Sequence, residues 1–396
     1  MQKQQQTKLI TFPAAWTWLM DEAVTQLVKT HYSPRESWKN KPFGKEDARF
    51  FFKGIEELSE FFTEERPKGM PAYFQHPKFR SAYILYFLPL QAAKFISLFQ
   101  MHASAFEAAW EHAKKSGVLR IADLGSGPGT ASLAALLMFL ERSTRTGEEI
   151  PKIVLEWIDT NRNSLEDGRV LVEQLSESFS RLRNRVEIRT HVAPWWKAPL
   201  LIEGKTSLLL LGHVLNESSG PSPLREDDRA NWIDLWSGLF AMAEGGGTLI
   251  VDLAARRTSQ LLSRFRDEWI SSRIFENDRR IWGPCLHAKA CPLADGRDWC
   301  HFSVPTEIPG MWFREFSKGL GSERQWLKFS YLWIASKDFP APSPDSRARR
   351  VISDPLGKGK TADILICEPE KPGRIRTKPQ GAAPIYRGEI IRVPKK

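Results

Sequence analysis

A Rossmann-like α/β domain preceded by helices is the fold class this sequence predicts, and three observations predict it. A short apolar run, Val118 to Leu124, carries an acid, Asp123, near its end and leads into Gly125-Ser126-Gly127-Pro128-Gly129-Thr130. A stretch of small and apolar residues, Ala131 to Leu140, follows; strand, glycine loop, helix is how a Rossmann-like unit begins. Further downstream, apolar runs alternate with helix-like stretches, the order of an α/β domain. The apolar runs are near-continuous, as strands of a parallel sheet covered on both faces are.

Taken in order, residues 1 to about 115 read as helical. Apolar residues recur at helical spacing through Trp16, Leu19, Ala23 and Leu27, and again through Ala82, Leu85, Leu88, Ala92 and Phe95. Pro67, Pro71 and Pro77 break the region between these stretches. After the first strand and its helix, Ile153 to Ile158 is a second strand closing on Asp159. Asn163 to Phe179 is the next helix, Val186 to His191 a third strand, and Ser207 to Leu215 a fourth, nearly all leucine. Gly245-Gly246-Gly247 turns into a fifth strand ending at Asp252, and Arg256 to Ser271 is its helix. Beyond a cysteine-bearing insertion, Trp326 to Ser336 resumes β character. The expected division is a helical N-terminal subdomain at 1–115, a Rossmann-like domain at 116–340 with a cysteine-rich, metal-binding insertion at 281–302, and a basic segment at 341–396 that supplies a fourth cysteine.

With 396 residues and 42% hydrophobic content, the chain has ample material for a buried core. The start, MQKQQQTKLITFPAAW, lacks a basic-then-apolar leader pattern, and no run reads as the roughly 20 apolar residues of a membrane span. A cytoplasmic protein without a membrane partner is therefore expected. Four cysteines in so long a chain make a poor disulfide framework; clustered thiols in a reducing compartment point to metal or redox chemistry. The net charge is +10, and residues 341–396 hold thirteen Lys/Arg against six Asp/Glu. Such a surplus suits phosphate backbones. Because these charges are mixed with Gly, Pro and short apolar runs, nucleic acid contact is favoured over a merely solubilising tail.

The glycine loop needs a ligand that tolerates an acid beside it. A dinucleotide fingerprint reads G-x-G-x-x-G, whereas this loop is Asp-Leu-Gly-Ser-Gly-Pro-Gly. That form resembles the first motif of Rossmann-like S-adenosylmethionine-dependent methyltransferases, over roughly residues 118–255. The resemblance implies that Asp123, Gly125, Gly127 and Gly129 surround the amino acid part of the cofactor, and that Asp159 accepts hydrogen bonds from its ribose. A carboxylate at a strand tip is in any case a good acceptor for a vicinal diol. A purely structural glycine turn is the competing reading; the full strand, loop and helix context weighs against it.

Catalysis has weaker support. Methyltransferases acting on base nitrogens often place Asn/Asp-Pro-Pro-Tyr/Phe after the fourth strand, and RNA cytosine C5 enzymes place a cysteine near it. Here the strand ends His213-Val214-Leu215-Asn216-Glu217. Asn216 and Glu217 are the candidates for contact with a substrate or methyl donor; as caps of the next element they would be structural. Both readings stay open.

Cys285, Cys291 and Cys300 are spaced C-x5-C-x8-C, and Cys367 lies far along the chain. Four thiolates satisfy either a tetrahedral zinc site or a four-iron, four-sulfur cluster. The two tight C-x2-C hooks usual for zinc are missing. Three ligands in one loose loop and a remote fourth fit the bulkier cluster better, with zinc as the alternative. His287 and His301 are alternate ligands, or hydrogen-bonding neighbours of the site.

Several motifs together carry a more specific resemblance: the glycine loop, Val-Leu-Asn-Glu at 214–217, Gly-Pro-Cys-x-His-x3-Cys-Pro-Leu from Gly283, Trp-Cys-His-Phe from Trp299 and Leu-Lys-Phe-Ser-Tyr from Leu327. With Arg80 to Pro89 in the helical part, they resemble the mitochondrial small ribosomal subunit methyltransferase-like family, which has bacterial members. The resemblance implies a ribosome assembly or translation factor that contacts small-subunit rRNA, with no DNA partner expected. It implies a 4Fe-4S cluster on Cys285, Cys291, Cys300 and Cys367, and a methyltransferase fold. Leu286 stands where that family usually has proline, but the ligand before it is kept. An active S-adenosylmethionine-dependent rRNA methyltransferase is the alternative. A radical enzyme is disfavoured: its C-x3-C-x2-C loop leaves one iron open, and four cysteines here leave none.

Overall fold

A computed structural model describes residues 10–63, 73–215, 229–272, 279–321, 326–336, 347–356, 363–369, 371–376 and 385–393. Its centre is a mixed sheet built from β1 (Val118–Leu124), β2 (Lys152–Asp159), β3 (Val186–Val192), β4 (Leu208–Gly212), β5 (Thr248–Leu253), β6 (Arg279–Gly283), β7 (Phe302–Pro305) and β8 (Trp326–Ser336). The strand order is β3-β2-β1-β4-β5-β8-β6, with β7 also paired to β8. Strands β1 to β5 run parallel, and β8 runs antiparallel to its partners β5, β6 and β7. This is the expected Rossmann-like α/β fold. The winding direction reverses between β1 and β4, so a crevice opens at their carboxyl ends, the position where open α/β sheets bind ligands.

The leucine run of β4 shows why continuous apolar sequence becomes a central strand. Leu208 and Leu210 enter the larger apolar cluster on one face, while Leu209 and Leu211 enter the second cluster on the other. Alternate side chains of a strand point to opposite faces, so both sets must be apolar when both faces are covered. Helices Thr130–Thr146, Arg162–Ser178 and Arg229–Met242 make the crossovers after β1, β2 and β4. The helical residues ahead of β1 share the larger cluster: Trp16, Leu19, Ala23, Leu27, Ala82, Leu85, Leu88, Ala92 and Phe95 are all buried in it together with Leu119 and Ile121 of β1. Among the described residues, one helical stretch, Pro77–Met101, is long and apolar enough by length and composition to cross a membrane, and 94% of its apolar window is buried inside the molecule. The sequence reading passes over this stretch because Pro89, Gln91 and Lys94 punctuate it.

The fourth strand is shorter than expected. It ends at Gly212 because His213 takes a left-handed conformation, φ +63°, and turns the chain before Val214. The region beyond β5 holds more β structure than the sequence suggests. Strands β6 and β7 pair along the same edge of β8, Gly283 opposite Trp333 and Phe302 opposite Phe329, so residues 284–301 leave and rejoin the sheet along one strand. The basic C-terminal region forms two small antiparallel pairs, β9 (Ala348–Arg350) with β12 (Ile390–Arg392) and β10 (Asp363–Ile366) with β11 (Gly373–Arg376). They are joined by the bridge Val351 to Ile366 and by a small cluster of Val351, Ile364 and Ile366.

Candidate functional site

The carboxyl end of β1 forms a tight glycine turn. Gly125, Gly127 and Gly129 have φ of +66°, +52° and +70°, a region that L side chains rarely adopt. Space matters as much as conformation: a Cβ on Gly125 would lie 2.1 Å from Val214 Cγ1, and one on Gly129 would lie 2.5 Å from the Trp157 ring. The backbone N–H groups of Gly125 and Ser126 both donate to Ile158 O of β2, at 2.8 and 3.1 Å. The loop is thereby pinned to the neighbouring strand and delivers its chain to the N-terminus of helix Thr130–Thr146.

Two carboxylates flank this turn, Asp123 buried and Asp159 half-buried. Asp123 Oδ2 accepts from Ser132 N and Ser132 Oγ, both at 2.9 Å, and Trp157 Nε1 donates to the same hydroxyl at 3.0 Å. Burial lifts the Asp123 carboxyl to about 7, against the lowering effect of these hydrogen bonds. Asp159, at the tip of β2, accepts from Gly127 N and Asn161 N, both at 2.8 Å, and burial raises its pKa too. The structure thus brings together Asp123, Asp159 and the three glycines. Asn216 and Glu217 lie outside the described residues.

Residues from the N-terminal helices close over this end. Phe74 Cζ stands 3.4 Å from where a Gly127 Cβ would be. Arg80 Nη1 donates to Phe74 O at 3.1 Å, and Arg80 Nε donates to Tyr32 Oη at 3.0 Å. Tyr32 Oη in turn donates to Asp167 Oδ2 at 2.5 Å. Asp167 belongs to helix Arg162–Ser178, whose Gly168 is packed so closely on Pro128 that a Cβ would lie 2.5 Å from Pro128 O. His213, at the tip of β4, is held by Gln91 Oε1 at 2.7 Å from its Nε2. Phe74 and Gln91 could not be connected to this end of the sheet from sequence, because their contacts with Gly127 and His213 span long chain separations and no local motif marks them; Arg80 lies in a segment the sequence singles out, but its links to Tyr32 and Asp167 are equally remote.

The second constellation lies toward one edge of the sheet, away from the central glycine turn, where residues 284–301 leave β8's border. Cys285, Cys291 and Cys300 line one cavity with Ser263, Arg266 and Tyr331. Cys367, following β10, is brought to the same place: its N–H donates to Arg350 O at 2.7 Å and its Sγ lies 3.4 Å from His287 Nε2. The four thiols are all reduced and half-buried as residues. Burial raises the pKa of Cys300 well above the thiol range, and the negative charges available at Cys291, Cys285 and Cys367 raise it further. Cys367 is pushed up to about 12, first by burial and then by Cys285 and Cys291. The structure therefore gathers all four cysteines into one electrostatic neighbourhood. Among the described residues, no group of three or more His, Cys, Asp or Glu side chains is gathered so as to hold a metal ion.

Helix Arg256–Ser271 shapes the cysteine loop. Arg256 Nη2 and Gln260 Nε2 donate to Gly296 O at 3.1 and 2.8 Å, and the Arg264 guanidinium pairs with Asp295 at 2.6 Å. Arg266 donates to Lys289 O and His287 O, at 2.8 and 2.6 Å, and pairs with Asp267, whose two oxygens accept from Cys291 N. Of the two histidines, His287 approaches Cys367, whereas His301 Nδ1 faces Trp299 O at 3.2 Å and the Arg387 guanidinium. Burial lowers the pKa of both, that of His301 to about 4. Helical spacing puts Gln260, Ser263, Arg264 and Asp267 within one stripe, but only the fold shows that a cysteine loop covers it.

Comparison with known proteins places these features in context. A family model described as mitochondrial small ribosomal subunit Rsm22 matches residues 80–388. Comparison with the curated proteins finds no match. Similar solved structures include the plantazolicin methyltransferase BpumL in complex with a monoazolic desmethylPZN analog and SAH, with 11% identity, 74% of this chain and 98% of that one covered, and a TM-score of 0.32. An O-methyltransferase family protein from Burkholderia thailandensis gives 13% identity, coverage of 74% and 71%, and a TM-score of 0.31.

Proposed function

The chain belongs to the mitochondrial small ribosomal subunit Rsm22 family, and from that premise we propose that it is an assembly or translation factor of the small ribosomal subunit that binds rRNA and a 4Fe-4S cluster. The observation that carries the reading is the convergence of four thiols from distant parts of the chain: Cys285, Cys291 and Cys300 line one cavity, and Cys367, from a C-terminal strand end, lies against His287 of the same loop and within electrostatic reach of the other three. The donor set fits such a cluster. It is all thiol, and buried thiols that raise one another's pKa gain a reason to be together once a metal takes their protons. When bound, a cluster supplies a fixed tie between its ligands. Cys367 then fastens the paired strands β9 to β12, with their share of the basic residues, to the edge of β8.

Protein prepared without air should carry about four iron and four sulfide per chain. Stoichiometric zinc without sulfide would sink the cluster in favour of the alternative metal. Cys367→Ser should lower the iron content by half or more, a loss read directly by metal analysis. Binding of small-subunit rRNA should weaken steeply as salt rises from about 50 to 200 mM, because phosphate neutralisation releases counterions. An affinity indifferent to salt removes the basic segment from the interaction.

A second reading, an active rRNA methyltransferase, is favoured by the glycine turn. S-adenosylmethionine carries positive charge at its sulfonium and ammonium groups, and when bound supplies a transferable methyl group. A buried and a half-buried carboxylate beside three left-handed glycines suit such a cation: Asp123, Gly125, Gly127 and Gly129 would hold its amino acid part and Asp159 its ribose. Asn216 and Glu217 are the candidate contacts to the acceptor. Transfer of labelled methyl groups to small-subunit RNA, abolished by Asp123→Ala, separates the two readings; cofactor binding without transfer leaves the assembly role.

A further inference from the structure

The cysteine centre has two buried arginines whose presence an apolar core would not tolerate. Arg266 is 2% exposed and lines the cavity; its Nε has no hydrogen-bond partner among the described residues, and Asp267 is its carboxylate partner. Arg350 is 7% exposed and has no carboxylate partner among the described residues. It donates instead to Pro284 O and Gly388 O, at 2.7 and 2.6 Å, and its guanidinium lies 5.5 Å from the Phe302 ring centroid.

Each arginine touches the backbone beside several ligands. Arg266 holds the carbonyls of His287 and Lys289, between Cys285 and Cys291, while its neighbour Asp267 takes the Cys291 N–H. Arg350 reaches the carbonyl just before Cys285, the ring two residues after Cys300 and, through its own carbonyl, the N–H of Cys367. Between them they address all four ligand positions. Two guanidiniums against the single carboxylate of Asp267 leave positive charge in a low-dielectric site, which is costly unless an anion answers it.

We propose that Arg266 and Arg350 are the positioning residues of the cysteine centre, holding its four ligand segments and supplying the positive charge that a polyanionic iron-sulfur cluster requires. The proposal rests on the cluster reading above. Four thiolates outweigh the charge of a 4Fe-4S core, so the loaded site is a net anion.

The test compares Arg266→Gln and Arg350→Gln, which keep a donor without charge, with Arg266→Lys and Arg350→Lys, which keep the charge. Full-length proteins prepared without air are challenged with an iron chelator while iron, sulfide and visible absorbance are followed. The Gln variants should lose cluster about tenfold faster than the unaltered protein or more, as removal of groups around metal ligands commonly does. The Lys variants should stay within about threefold. Equal rates in Gln and Lys variants, or unchanged rates in all four, overturn the proposal. Where a Gln variant fails to fold by circular dichroism, the Lys variant decides alone: slow loss supports the role of charge, and loss as fast as tenfold overturns it. Unaltered protein with no iron or sulfide would overturn the cluster reading itself, an outcome distinct from any difference among variants.

Discussion

Gly129 and Gly147 have nearly the same backbone conformation, φ +70° and +75°, but different surroundings. A methyl group at Gly147 meets nothing within 4 Å, whereas at Gly129 it lies 2.5 Å from the Trp157 ring. Gly147→Ala should therefore cost only the left-handed conformation, about 1–2 kcal/mol. Gly129→Ala adds an overpacking cost of about 1–3 kcal/mol, so chemical denaturation should rank it clearly lower. Asp123 makes a prediction of a different kind. With its folded pKa lifted to about 7 from an ordinary value near 4, it is protonated in the folded chain and ionised in the unfolded one between those values. Its contribution to stability is fully present below about pH 4 and lost as pH rises through about 7. Unfolding measured from pH 4 to 8 should show this loss, and Asp123→Asn should flatten it; an unaltered slope places the titration elsewhere. At this scale the sequence was informative where chemistry is local. The glycines and Asp123 announce themselves by spacing, whereas Val214, Phe74, Arg266 and Arg350 acquire meaning only from what the chain folds against.

The element scale shows how the N-terminal helices are held to the glycine loop. Tyr32, Arg80 and Asp167 link helix Val24–Tyr32, helix Pro77–Ala82 and helix Arg162–Ser178, with the Arg80 and Asp167 side chains only 12% and 9% exposed. Tyr32→Phe removes two hydrogen bonds with charged groups, the one donated to Asp167 and the one accepted from Arg80, and should cost at least the worth of a single such bond, about 1.5–3 kcal/mol. Arg80→Ala leaves Asp167 buried without its cation and should cost about 3–5 kcal/mol. Limited proteolysis should then cut between the N-terminal helices and β1 sooner in the Arg80 variant; equal protection would mean that apolar packing alone holds them. Strand β1, strand β8 and helix Arg256–Ser271 have the bounds expected from sequence, since each has a run of one clear character ended by a turn signal. Helix Arg229–Met242 escapes that reading because Trp232, Trp236, Leu239 and Phe240 make it apolar on several sides, which blurs helical periodicity. Strands β6 and β7, of five and four residues, are too short to register as a pattern.

At the scale of the whole molecule, the two constellations occupy different parts of one sheet: the glycine turn at the reversal between β1 and β4, the cysteines beyond β8. The first was legible as a contiguous motif. For the second, the sequence supplied the residue types and the loose spacing, but the convergence of Cys367 depends on the bridge between Val351 and Ile366 and on the Cys367 N–H bond to Arg350. The placement of β8 between β5 and β6 has a consequence for how the protein is made. A chain synthesised from its N-terminus produces β6, the three clustered thiols and β7 before the strand that pairs with both. At about 5–20 residues per second, the delay between β6 and β8 is roughly 2–10 s. Throughout that interval the nascent loop lacks the strand that both its ends pair with, and Cys367, made later still, joins the other three thiols last.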